Sequence, residues 1–179
     1  MILKKLLILT EGGQINGYGH ITRCISLAKA FSQAGYNTLF FVDGDCGTLE
    51  FIKASGFNAE LSEWFYSDNL KKIVSSSDLV IVDSFIVSEY FALKIAEWND
   101  KTIYIDDWIR RPYTTGAVID WTINAEEYFY KQRFTGVKWL LGSSFVSLRP
   151  PFWNIAKSNK VLPESAENVL ITFGGSDIR

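Results

Sequence analysis

The sequence predicts an α/β fold built on a parallel, doubly wound sheet. Short apolar runs alternate with segments of helical periodicity along most of the chain, the pattern of repeated strand–helix units. The central runs are apolar throughout rather than at every second position, as strands are when helices cover both faces of their sheet. A glycine-rich turn joins the first run to the first helix, where a parallel sheet places its ligands. The chain has 179 residues, 47% apolar and 21% charged, enough to bury the core of one ordinary domain and too apolar for disorder.

The elements follow in order. Residues 3–9 form a continuous apolar run and read as a buried strand. Residues 20–34 are helical, with Cys24, Leu27, Ala28 and Phe31 at the spacing of one buried face, and Gly35 is placed to stop the helix. Residues 38–42 make the second strand. Residues 48–54 form a short helix ended by Gly56, and residues 67–74 form another. Ser77 and Asp78 lead into the strand 79–82. Residues 88–98 read as a helix and residues 101–105 as a strand, with shorter strands at 118–123 and 139–141. Residues 154–165 are polar and carry Pro163, the composition of a linker. Residues 168–173 then read as a strand, followed by Gly174, Gly175, Ser176 and Asp177. A strand apolar on both faces calls for a covering helix, and none follows before Arg179. The expected division is a first domain over residues 1–153, a linker over 154–167 and the opening of a second, nucleotide-binding domain at 168–179. The rest of that domain is expected to lie beyond this sequence.

Composition excludes several function classes. The net charge is −2, and the largest basic cluster is the pair Arg110-Arg111, so no surface suited to nucleic acid is expected. Cys24 and Cys46 stand in no metal-ligand spacing and there is a single histidine, which argues against a zinc site and for a reducing, cytoplasmic setting. Cys24 falls on the apolar stripe of its helix and reads as a small core residue. The N-terminal apolar run is too short for a signal peptide and lacks a cleavage site. No run approaches the ~20 residues that span a bilayer.

The most informative segment is Asn16-Gly17-Tyr18-Gly19-His20-Ile21-Thr22-Arg23-Cys24. A strand, a glycine turn and a helix start bring free backbone N–H groups and the positive end of a helix dipole together, which suits an anion. The only histidine sits at this mouth, where the dipole disfavours its cationic form and leaves a base-competent imidazole. Gly17 and Gly19 would admit a phosphate without Cβ clashes; an ordinary tight turn is the alternative. Acidic residues end three strands. Asp43 reads as the cap of the next helix. Asp83 and the pair Asp106-Asp107 are either caps or groups facing a ligand.

Gly17-Tyr18-Gly19-His20-Ile21-Thr22-Arg23-Cys24 resembles the G-x-G-H-x-x-R-C segment of the UDP-sugar hydrolases of pseudaminic acid biosynthesis. These are related to spore-coat polysaccharide proteins and, more distantly, to glycosyltransferases of the two-domain GT-B fold. Four further blocks extend the resemblance. They are Ile81-Val82-Asp83-Ser84-Phe85; Ile105-Asp106-Asp107 with the strand from Val118 to Asn124; Leu140-Leu141-Gly142 with Val146-Ser147-Leu148-Arg149-Pro150-Pro151-Phe152; and Leu170-Ile171-Thr172-Phe173-Gly174-Gly175-Ser176-Asp177. Phe85 and Phe145 stand where that family carries Tyr, which removes two hydroxyls. The segment Arg110-Arg111-Pro112-Tyr113 has no counterpart in the resemblance.

The resemblance implies a Rossmann-like first half of a GT-B fold. It implies release of UDP from UDP-2,4-diacetamido-2,4,6-trideoxy-β-L-altropyranose, with His20 activating the water that attacks the anomeric carbon. It also implies uridine recognition in the second domain, so that residues 1–179 alone would be inactive, and no metal or other cofactor. The substrate-binding set it suggests is Gly17, Tyr18, Gly19, Arg23, Asp83, Asn124, Arg149, Gly174, Gly175 and Ser176. Several keep a second reading. Arg23, one turn after His20, either holds substrate or supports a neighbouring loop. Asn124 either bonds an N-acetyl group or shapes a turn. Arg149 either touches substrate or fixes the crossing between domains. Two other functions stay open: a GT-B glycosyltransferase in which His20 deprotonates an acceptor hydroxyl, and a non-catalytic module that binds a nucleotide sugar. No basic amphipathic stretch for a membrane-borne acceptor is present.

Overall fold

A computed structural model describes residues 3–107, 110–127, 136–155, 165 and 168–171. It contains seven parallel strands: β1 (Lys4–Gly12), β2 (Tyr36–Gly44), β3 (Asn58–Leu61), β4 (Leu79–Asp83), β5 (Thr102–Ile105), β6 (Ala117–Asp120) and β7 (Lys138–Leu141). Their order across the sheet is β3-β2-β1-β4-β5-β6-β7. The four longer helices are α1 (Gly19–Gln33), α2 (Cys46–Ala54), α3 (Leu70–Ser75) and α4 (Glu89–Trp98). This is the Rossmann-like α/β architecture expected from the alternation of runs. Topology reverses between β1 and β4, so their carboxyl ends flank the crevice where such sheets bind ligands.

Two cores cover the sheet's faces. Leu6 and Ile8 of β1 pack with Ile21, Cys24, Ile25 and Ala28 of α1 and Ile52 of α2. Leu7 and Leu9 pack with Leu70 and Val74 of α3 and Ala92 and Ile95 of α4. The period-2 alternation of a strand thus sorts one continuous apolar run between two helical layers. It also fixes which layer each residue at a strand end faces. Asp83 follows Ile81 onto the α1 side, and Glu11 follows Leu7 and Leu9 onto the opposite side.

Several expectations need correction. The cap of α2 is Asp45, not Asp43. The Asp45 carboxylate accepts from Thr48 N at 2.8 Å and from Gln14 N at 2.9 Å, because β2 runs through Asp43 to Gly44 before turning. Strand β3 has no counterpart among the expected elements. Only Ala59 of its four residues is buried, so it carries no apolar period. The helix expected over 67–74 begins at Leu70, preceded by a 3-10 turn at Trp64–Tyr66. That turn is anchored by buried Trp64, whose Nε1 donates to Thr10 O at 3.0 Å. The strand expected over 118–123 stops at Asp120, whose carboxylate accepts from Thr122 N at 2.9 Å and turns the chain. Residues 168–171 join no strand ladder, and Val169, Leu170 and Ile171 are exposed; a strand needs a hydrogen-bonded neighbour, and neither sheet edge pairs with them. Most of the expected linker, and Phe173, Gly174, Gly175 and Ser176, lie outside the described residues.

Candidate functional site

Three residues named from the sequence meet at the switch point. His20, in the first turn of α1, is 5% exposed and places Nδ1 2.7 Å from Asp83 Oδ1 at the end of β4. Arg23, one turn on, donates Nε to Asp83 Oδ2 at 2.5 Å, and its Nη2 reaches Oδ1. Arg23 Nη2 also lies 2.9 Å from His20 Nδ1. One nitrogen cannot both donate to Asp83 and accept from Arg23. A lone pair on Nδ1 would face a carboxylate oxygen at 2.7 Å, so the arrangement assigns the proton to Nδ1 and leaves Nε2 as the acceptor. Nε2 makes no hydrogen bond to another described residue.

Charge in this cluster is set by burial and by the shared guanidinium. Burial pushes the Asp83 carboxyl up, but hydrogen bonds from His20 and Arg23 and the Arg23 charge outweigh it and hold the group below the usual carboxylate range. Asp107, 3.6 Å from Arg23 Nη1, shifts the other way: burial raises it, and Asp120 and Asp83 add to that against the pull of Arg23. Its Oδ1 is buried without a hydrogen bond among the described residues. Cys24 Sγ lies 3.5 Å from Asp83 Oδ2, and burial and that carboxylate push its thiol well up. It is a packed core thiol, as its place on the helix stripe implied, and not a nucleophile. Arg23 is completed by the Trp121 ring, 5.3 Å from its guanidinium carbon.

A second group of residues was missed by sequence reasoning. Glu11 is 2% exposed. It accepts from Ser84 Oγ, from Phe85 N at 2.5 Å and from Ile86 N at 3.3 Å. Arg111, also buried, donates to the carbonyls of Val87 at 2.7 Å and of Ser84 and Phe85 at 3.1 Å. The loop 84–87 is therefore held on its N–H side by β1 and on its carbonyl side by the segment after β5. It sets the Phe85 ring edge-to-face against the His20 ring, centroids 4.4 Å apart. The Arg110 guanidinium lies 4.4 Å over Phe85 and donates Nε to Asp106 at 2.8 Å. Asp106 also accepts from Tyr113 OH, so it organises this segment. The one available signal was negative: a charged segment, 110–113, that the family resemblance leaves unexplained.

The remaining named residues take simpler places. Gly17 has φ +72 and accepts from Gly13 N at 3.0 Å, so a tight turn requires it. Gly19 has no such need: a Cβ there would meet no atom of the described residues within 4 Å. Tyr18 packs against Phe51 of α2. Asn124 adopts φ +65 and its carbonyl accepts from Glu127 N at 3.0 Å; it shapes a turn. Arg149 lines a cavity of about 350 Å³ with Thr22, Arg23, Ser26 and Phe152, and Ser147 Oγ ties this segment to Arg23 O at 3.1 Å. No cluster of three or more His, Cys, Asp or Glu among the described residues could hold a metal ion. No helix among them is long and apolar enough to cross a membrane.

The class defined by these features is a Rossmann-like α/β protein with a histidine–aspartate–arginine cluster at the switch point of its sheet. The chain is similar to the uncharacterized protein MJ1062 of Methanocaldococcus jannaschii, at 29% identity over 185 residues. The match takes in 97% of this chain and 37% of that relative, so the chain spans little more than a third of its length. No known family model matches.

Proposed function

We propose that this chain is the catalytic N-terminal part of a cytoplasmic UDP-sugar hydrolase of GT-B type, acting on a diacetamido-trideoxy sugar nucleotide. The observation that carries this is the contact of His20 Nδ1 with Asp83 at 2.7 Å. It orients a histidine at a glycine turn so that Nε2 is the basic atom. In this reading Nε2 takes a proton from water. The water oxygen bonds to the anomeric carbon as the bond from that carbon to the phosphate oxygen breaks, and UDP leaves with the electron pair. Asp83 stabilises the imidazolium so formed, and Arg23 keeps Asp83 ionised. Gly19, on which no described residue packs, supports the reading because it leaves room for a ligand at the start of α1. The motif blocks support the substrate class, and a second domain would supply uridine recognition.

The test is UDP release from the altropyranose nucleotide by the complete polypeptide, with the sugar product analysed. Free sugar is expected; a glycoside formed only with an added acceptor identifies a transferase instead. His20→Ala is expected to lower turnover by roughly 10²–10⁴-fold, the worth of a general base, with UDP affinity nearly unchanged. A variant retaining most of its turnover removes His20 from the role.

A further inference from the structure

We infer that Glu11 is a positioning residue for His20, acting through Phe85, with Arg111 as its counterpart on the other side of the loop 84–87. The inference rests on the catalytic reading of His20 given above. Burying a carboxylate is costly unless hydrogen bonds replace its water, and Glu11 is 2% exposed. The bonds it gains come from Ser84 Oγ and the backbone N–H groups of Phe85 and Ile86. Ser84 Oγ in turn accepts from Ile86 N at 3.2 Å and Val87 N at 3.0 Å. With Arg111 on three carbonyls, two buried charged side chains fix four residues of loop. A strand-to-helix connection of this length does not need that, since α4 has its own cap in Ser88, which accepts from Phe91 N at 3.3 Å.

What the clamp achieves is the placement of one side chain. Phe85 is 57% exposed, and an aromatic so exposed is ordinarily free to change rotamer. Here its backbone is immobilised, its ring meets His20 edge-to-face, and Arg110 is held against it by Asp106. Asp83 fixes one nitrogen of His20; Phe85 bounds the volume into which the ring could swing. The two contacts come from opposite layers of the sheet, because Asp83 and Glu11 end adjacent strands on opposite faces. Together they leave a single imidazole orientation, with Nδ1 on the carboxylate.

His20 is the only histidine in the sequence, so its ring nitrogens and C–H groups give unambiguous NMR signals in the intact protein. The wild type is expected to show one set of imidazole signals with the proton on Nδ1. Glu11→Gln keeps the shape of the side chain but puts an amide donor among donors. It is expected to yield a folded protein whose His20 signals broaden or split into both tautomers. Phe85→Ala, at an exposed site, is expected to retain the fold and do the same. In the UDP-release assay both variants should lose kcat by roughly 10–100-fold, the cost of a small misplacement, with KM little changed. Folded variants whose His20 spectra match the wild type overturn the inference. If the spectra change as expected while the wild type releases no UDP, the positioning stands and the hydrolase reading fails. A purely structural Glu11 would lower the melting temperature and leave the His20 tautomer as it was.

Discussion

Asp83 and Asp107 share one guanidinium and shift in opposite directions, and the difference predicts opposite mutational signs. Asp83 is held below its ordinary range by His20 and Arg23 against the effect of burial. Its ionised form therefore stabilises the fold above the unfolded carboxyl value, about pH 4. That contribution disappears as pH falls through the lower folded value. Asp107 is raised by burial and by Asp120 and Asp83, so its ionised form opposes folding at neutral pH, and acidification relieves the strain. Asp83→Asn is expected to destabilise the protein at pH 7, towards the lower end of the roughly 3–5 kcal/mol seen when one partner of a buried pair is removed, since Arg23 retains some solvent. Its acid-unfolding curve should lose a component below about pH 4. Asp107→Asn should leave the pH 7 melting temperature unchanged or higher. A fall of equal size in both variants contradicts this account. At this scale the sequence was legible where chemistry is local. His20, Arg23 and Cys24 sit on one helix at readable spacing, and Asp83 ends a readable strand. Glu11 and Arg111 were not legible, because their backbone partners lie 74 to 75 and 24 to 27 residues away, and an acid or a base in a sequence does not reveal which peptide groups it will meet.

Strands and helices were legible in proportion to their burial. β1, β4 and α1 bury faces whose periodicity survives in the sequence, and they lie within a few residues of their expected bounds. β3 buries only Ala59 and is a strand because β2 offers it a free edge, a tertiary cause that no local pattern records. The choice between Asp43 and Asp45 as cap turned on where β2 ends, the least predictable feature of an element. The start of α1 supplies a test that separates folding from function. Gly19 has no positive φ, and a methyl group added to its Cα would meet no described neighbour within 4 Å. Glycine within a helix costs up to about 1 kcal/mol relative to alanine. Gly19→Ala is therefore expected to melt at the same temperature as the wild type or slightly higher. If the open space is there for a phosphate, the same variant should lose UDP-sugar turnover through a raised KM. Wild-type kinetics in Gly19→Ala would mean that the ligand does not approach this helix start.

Across the whole molecule, the alternating runs foretold the parallel sheet, and the reversal of strand order between β1 and β4 brought together a helix start and a strand end 63 residues apart. The fate of residues 168–171 was not legible. Their apolar side chains satisfy the pattern of a buried strand, yet a pattern states only that burial is wanted, not what provides it. Val169, Leu170 and Ile171 are 79%, 89% and 74% exposed. The proposed division of labour, chemistry in residues 1–153 and uridine recognition in a second domain, makes a quantitative demand on the 179-residue chain. The base and ribose contribute nothing to its affinity, so UDP should bind no better than inorganic pyrophosphate, in the millimolar range where a few charge-assisted contacts leave a ligand. Calorimetry with both ligands on this chain measures the difference directly. Micromolar binding of UDP, or clear preference for UDP over pyrophosphate, would place uridine recognition within these residues and overturn the two-domain assignment.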